Sequence, residues 1–168
     1  WFKDEPYTDE YIYDGVNVEN ANFTKSNFYS CSFRGANLSN ANLSNSEFSV
    51  VAFDNANLKG ANFTSSDLRS SDFDRADLTE AIFDRANING GWFKNALLVK
   101  ASLKLTDLGN ADFSGADLTE ANLRNAVLKD ANLTGANLKN ADLTSADLTN
   151  ANLDNAFIEG TIFEGSIK

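Results

Sequence analysis

From Ala21 to Phe163 the chain repeats one five-residue phrase, Ala-(Asn/Asp)-(Leu/Phe)-x-x, without insertion or deletion. The apolar centres run from Phe23 through Phe28, Phe33, Leu38 and Leu43 to Phe163, which makes 29 consecutive units, each centred on Leu, Phe or Ile. A strict internal repeat decides architecture first, because no unit buries its apolar face except against its neighbours. Five residues of α-helix turn through roughly 500°, so successive centres would scatter around the axis by about 140° each. A plain strand fails too, since its side chains alternate with period two and an odd repeat would flip every second centre. A short extended piece followed by a bend resolves the conflict by resetting the parity.

Each position of the phrase fits that solution. The residue two before the centre is Ala in 20 of 29 units, and the exceptions, such as Ser26, Cys31 and Gly91, are nearly all small. It therefore points inward, sharing a narrow interior with the Leu or Phe. The residue between them is Asn or Asp in 19 of 29 and points out. Two after the centre, 16 of 29 units carry Gly or Asn, the residues that tolerate the positive φ of a type II turn. One pentapeptide is one side and one corner of a coil.

Stepping by 20 gives a column of Leu38, Leu58, Leu78, Leu98, Leu118, Leu138 and Ile158, and a second of Phe33, Phe53, Phe73, Phe93 and Phe113 that switches to Leu133 and Leu153. A 15-residue step also shows some order, so the columns favour four sides without settling the number. The chain resembles the pentapeptide-repeat family, whose motif is A(D/N)Lxx. The resemblance implies an all-β fold, a right-handed quadrilateral parallel β-helix of just over seven coils. At a rung spacing of about 4.8 Å such a stack is roughly 35 Å long. Residues 1–17 read as an N-terminal capping segment and 18–168 as the β-helix. Trp1, Phe2, Tyr7, Tyr11, Ile12 and Tyr13 are expected to lie over the first coil, the frame to begin at Val16 and Val18, and Thr8 to Tyr13 to include a short helix.

Composition narrows the chemistry. There is no histidine, so the usual acid–base group near neutral pH and the commonest imidazole ligand are missing. The serines fill repeat slots, with no Ser-x-x-Lys or Gly-x-Ser-x-Gly around them and no phosphate loop elsewhere. Cys31, the one cysteine, occupies an inward small-residue slot and reads as core. Asp54, Asp72 and Asp74 read as a solvated acidic patch balanced by Arg75. No enzyme, cofactor or metal site is expected. The net charge of −10 excludes direct nucleic-acid binding through clustered Lys and Arg. No run is long and apolar enough for membrane insertion. Missing methionine hints at a removed leader, which leaves the compartment open between cytoplasm and export to a thylakoid lumen or periplasm.

The breaks in the pattern point to contacts. Trp92 and Leu97 stand in the slot otherwise held by Asn or Asp, and Val99 and Leu105 stand in corner slots, all within one coil's length. They read either as an interaction patch or as a ring lying over the corner glycines Gly90 and Gly91. Phe157, Ile158, Ile162, Phe163 and Ile167 form a second group, a C-terminal association surface for a homodimer or for a native tail. By resemblance, two functions stand. One is a non-catalytic structural or protein-interaction scaffold, of the kind abundant in cyanobacteria and plastid-containing plants. The alternative is a DNA mimic that binds type II topoisomerase, giving gyrase inhibition or quinolone protection. Six acids and one lysine fall within residues 1–20, which puts half of the net charge outside the repeat.

Overall fold

The computed structural model describes residues 11–167, and these form four ladders of parallel bridges. Every bridge joins residue i to residue i + 20, from Ile12 with Ser32 to Asp147 with Ile167. Four units and four turns lie between paired residues, so the 15-residue alternative is excluded. The repeat meets its ladder in three backbone bonds per unit. The Phe33 N–H donates to Ala52 O at 2.7 Å, the Ala52 N–H to Cys31 O at 3.1 Å and the Gly35 N–H to Asp54 O at 3.0 Å. The turn is closed by a fourth, from the Ala36 N–H to Phe33 O at 3.0 Å. Only one residue in five forms a bridge, so the extended pieces are single bridged residues and no longer strand forms among the described residues.

The corners are more uniform than their sequence. Every residue two after a centre, from Gly15 to Gly165, has φ between 54° and 71°. Gly and Asn adopt this region readily, but Val50 (61°), Glu80 (61°) and Leu105 (59°) adopt it as well. The left-handed region costs an L-residue roughly 1–2 kcal/mol. The rungs above and below therefore override local preference at these corners.

The interior follows from the inward pair of each unit. From Phe33 to Leu148 the centres are 0–2% exposed. The Phe column stacks nearly flat, with centroids 5.2 Å apart for Phe53 and Phe73, 4.9 Å for Phe73 and Phe93 and 4.6 Å for Phe93 and Phe113. Phe63 and Phe83, two units away, meet this column edge-on at interplanar angles of 74–88°. Such pairs contribute about 0.5–1.5 kcal/mol beyond area burial. Where Ser or Thr replaces the inward Ala, its hydroxyl bonds to backbone. Ser66, Ser71 and Thr106 donate to Leu43 O, Phe48 O and Phe83 O at 2.6–2.9 Å.

The start of the coil needs correcting. Ile12 bridges Ser32 and the Tyr13 N–H bonds to Ser32 O, so residues 11–17 lie in the ladder and the frame precedes Val16. Tyr13 stacks on Phe33 at 4.9 Å as the first ring of the Phe column, where a short helix was expected. Trp1, Phe2 and Tyr7, the other aromatic residues of the expected cap, lie outside the described residues.

Candidate interaction surface

The outward Asn or Asp does more than stay polar. Its side-chain oxygen accepts the N–H two residues later, as Asn62 does from Thr64 at 3.0 Å, Asp77 from Thr79 at 3.0 Å and Asp117 from Thr119 at 3.0 Å. That N–H is the one the ladder leaves without a backbone partner, so each unit with Asn or Asp in the outward slot carries its own Asx turn. Threonine is common there because its hydroxyl reaches the same oxygen, 2.6 Å in the Thr119–Asp117 pair. The outward slot was legible as polar, but this bonding role was not.

Replacing that residue exposes an N–H, and at three sites the previous rung supplies a substitute. Asp14 accepts from Arg34 N–H, Asp74 from Lys94 N–H and Asp84 from Lys104 N–H at 2.8–3.2 Å. Ser32, Trp92 and Ser102 are the residues these aspartates compensate. The sequence signal is an aspartate 18 residues before the missing Asn or Asp. Among the described residues no such bond serves Leu97, Ile82 or Val127.

The four residues read as one patch stand in three successive units. Trp92 (49% exposed) belongs to the Phe column's side, Leu97 (46%) and the half-buried Val99 to the Leu column's, and Leu105 (52%) to the next corner but one. They share a coil and not a plane. No atom of the indole lies within 4 Å of where a Cβ would stand at Gly90. A Cβ at Gly90 would meet only the Ser70 hydroxyl at 3.6 Å, and one at Gly91 would strike the inward Ile88 Cγ2 at 2.7 Å. Ile88 thus explains Gly91. Leu97 and Trp92 each sit between two aspartates of their ladder, Asp77 with Asp117 and Asp72 with Asp112.

Beside Trp92 the surface dips. A depression of about 230 Å³ is lined by Ser32, Val50, Ala52, Ser70, Asp72 and Trp92, with Cys31 and Arg34 also at its wall. It exists because small residues fill the outward slots between the ring and Arg34. Burial, with Asp74 and Asp54 nearby, holds the Asp72 carboxyl above the usual range. Burial also pushes the Cys31 thiol up to about 11, which leaves it unreactive. No group of three or more His, Cys, Asp or Glu among the described residues is placed to hold a metal.

In the C-terminal group, Phe157 (50% exposed), Ile162 (47%) and Ile167 (59%) point outward on three successive sides. Ile158 and Phe163 are inward centres, Ile158 51% exposed and Phe163 partly buried against the core. Some of the acidic side chains elsewhere are paired with cations. Arg34 pairs with Asp54, Arg69 with Asp67, Lys104 with Asp84 and Arg124 with Asp142 at 2.6–3.0 Å. Burial raises Asp67 and Asp142, but hydrogen bonds and cations from Arg69 and from Thr144 and Arg124 outweigh it and hold both below the usual range. The Thr149 hydroxyl and N–H do the same for Asp147.

Among solved structures, two trypsin-treated variants of QnrB1, a plasmid-mediated fluoroquinolone resistance protein, are similar to the chain. They match at 22% identity with a TM-score of 0.74 and at 25% with 0.69, each covering 94% of this chain and 89% of that one. HetL, a pentapeptide repeat protein involved in heterocyst differentiation regulation in the cyanobacterium Nostoc, matches at 24% identity with a TM-score of 0.45, covering 92% and 88%. Comparison with curated proteins gives no match. The family models for a pentapeptide repeat region and for pentapeptide repeats (8 copies) match residues 10–83 and residues 93–125 and 126–165. With the unbroken frame and its 20-residue ladder, these matches make the chain a member of the pentapeptide-repeat family.

Proposed function

We propose that the chain is a non-catalytic protein-interaction scaffold, built as the right-handed, four-sided β-helix with just over seven coils. One observation carries the reading: on a surface where the turn-capping Asn or Asp is the rule, Trp92 is half exposed beside a depression and its loss of the cap is compensated by Asp74. A side chain so accommodated and so exposed is suited to contact. No helix of the described residues is long and apolar enough to cross a membrane. Affinity capture with the unmutated chain and with Trp92→Ala tests the reading directly. A partner retained by the first and lost by the second supports it, and identical capture by both contradicts it.

A second reading, a mimic of DNA that binds type II topoisomerase, draws on the net charge of −10 and on the fold shared with QnrB1. The distribution of charge counts against it. Residues 11–168 carry a net charge of −7, and four of their acids are held in close ion pairs. Duplex DNA of about 35 Å carries roughly 20 phosphates. A gyrase supercoiling assay separates the two readings. The scaffold reading expects no inhibition and no quinolone protection at micromolar protein. Pairing of two copies through Phe157, Ile158, Ile162, Phe163 and Ile167 is proposed as the assembly.

A further inference from the structure

The depression beside Trp92 has two ends with opposite electrostatic states. At one end Arg34 lies along the wall, its Nε 2.9 Å from Asp54 Oδ1 and its Nη1 3.2 Å from Ser32 Oγ. That guanidinium is engaged by both, and Asp54 also accepts from the Asn55 amide at 2.9 Å. At the other end Asp72 and Trp92 are bridged neighbours, on rungs about 4.8 Å apart. Asp72 Oδ1 accepts the Asp74 N–H at 2.8 Å, yet among the described residues its carboxylate pairs with no cation. Lys94, on the corner beyond the ring, pairs with no carboxylate within this set either, and Asp74 spends Oδ1 on the Lys94 N–H. Between the two ends lie the short side chains of Ala52 and Ser70.

We propose that this end of the depression receives a cationic side chain of a partner protein, an arginine in first place, with its charge on Asp72 and its planar face on the indole of Trp92. A carboxylate beside an exposed indole offers both halves of what a guanidinium binds: an acceptor for its N–H fork and a π-face for its plane. The lining mixes the apolar Val50, Ala52 and Trp92 with the polar Ser32, Ser70 and Asp72, so the carboxylate of Asp72 is what selects a cation over an apolar ligand. Anions are opposed by Asp72, Asp74 and Asp54. The proposal rests on the scaffold reading and gives its partner a chemistry.

Trp92 becomes the sole tryptophan once Trp1 is replaced by Phe, so its emission reports the site. The probes are acetyl-Ala-Arg-Ala-amide and the same peptide with citrulline, which keeps the shape and removes the charge. Asp72→Asn retains the oxygen that accepts the Asp74 N–H, and Glu120→Gln removes an equal charge at a distant corner. The expected result is a saturable change of Trp92 emission with the arginine peptide, weakened about fivefold for citrulline and about threefold to fivefold by Asp72→Asn, with Glu120→Gln unchanged. No saturable change overturns the proposal, as does equal binding of citrulline. A loss in Glu120→Gln equal to that in Asp72→Asn also overturns it, by reducing the effect to net charge. A chain that ignores the arginine peptide but still captures a partner through Trp92 loses this proposal and keeps the scaffold reading. One that binds the peptide but captures the same partners as Trp92→Ala does the reverse.

Discussion

At the scale of the residue, the outward Asn or Asp is the position whose purpose the structure changes. Each one bonds the turn's lone N–H, so removing it should cost about 0.5–1.5 kcal/mol for each bond lost. Asp117, which holds both the Thr119 N–H and hydroxyl, is the sharpest case. Asp117→Ala should lower the denaturant midpoint clearly. Leu97→Asn should raise it, because it restores a cap to the Val99 N–H and withdraws an exposed apolar side chain. A midpoint that falls in Leu97→Asn would show that leucine packs there in a way the 46% exposure does not suggest. Charge gives a second test. Asp67, Asp142 and Asp147 have folded pKa values below the ordinary one, so their stabilisation is present above about pH 3.9 and is lost as pH falls through the folded values. Asp72 has the opposite sign, since its raised pKa means that ionisation disfavours the folded state. Asp72→Asn should therefore be the more stable protein at pH 7, with the difference closing below about pH 3.9, as urea titrations at the two pH values would show.

At the scale of the element, the unit is a side and a corner, and the two were unequally legible. The inward pair could be read from size alone, and Ala76 and Leu78 are indeed fully buried. Phe73→Ala, in mid-stack between Phe53 and Phe93, should open a cavity and cost about 3–5 kcal/mol. Thr79→Ala, in an outward corner slot, should stay within about 0.5 kcal/mol in the same denaturant titration. Equal shifts would mean that the inward frame is misplaced. The corners were legible only where Gly or Asn stands. Val50 takes the same φ because rung pairing fixes it, and no local signal in a valine announces that. The Ser32–Asp14, Trp92–Asp74 and Ser102–Asp84 relations escaped for a similar reason. They join residues 18 apart, a distance that acquires meaning only once the coil length is known. Trp92, Leu97 and Leu105, close in sequence, stand in three successive units, and which sides those units occupy also follows only from the coil length.

At the scale of the whole molecule, the ladder is a regular frame and function belongs to its exceptions. Phe157, Ile162 and Ile167 make one such group, and light scattering at about 100 μM tests whether it joins two copies. A dimer mass for the unmutated chain and a monomer mass for Phe157→Glu support association there, whereas a monomer mass for both ends it. The relation on which every column, turn cap and groove depends is the pairing of i with i + 20. Cysteine pairs measure it directly in a Cys31→Ala background. Ile82 and Ser102 are bridged partners, while Ile82 and Leu97 are 15 apart, and none of the three supplies an Asx cap to lose. With a cross-linker that spans only neighbouring rungs, Ile82→Cys/Ser102→Cys should close within one chain and Ile82→Cys/Leu97→Cys should not. Efficient closure of the second pair with failure of the first would contradict the 20-residue coil, and with it the site beside Trp92.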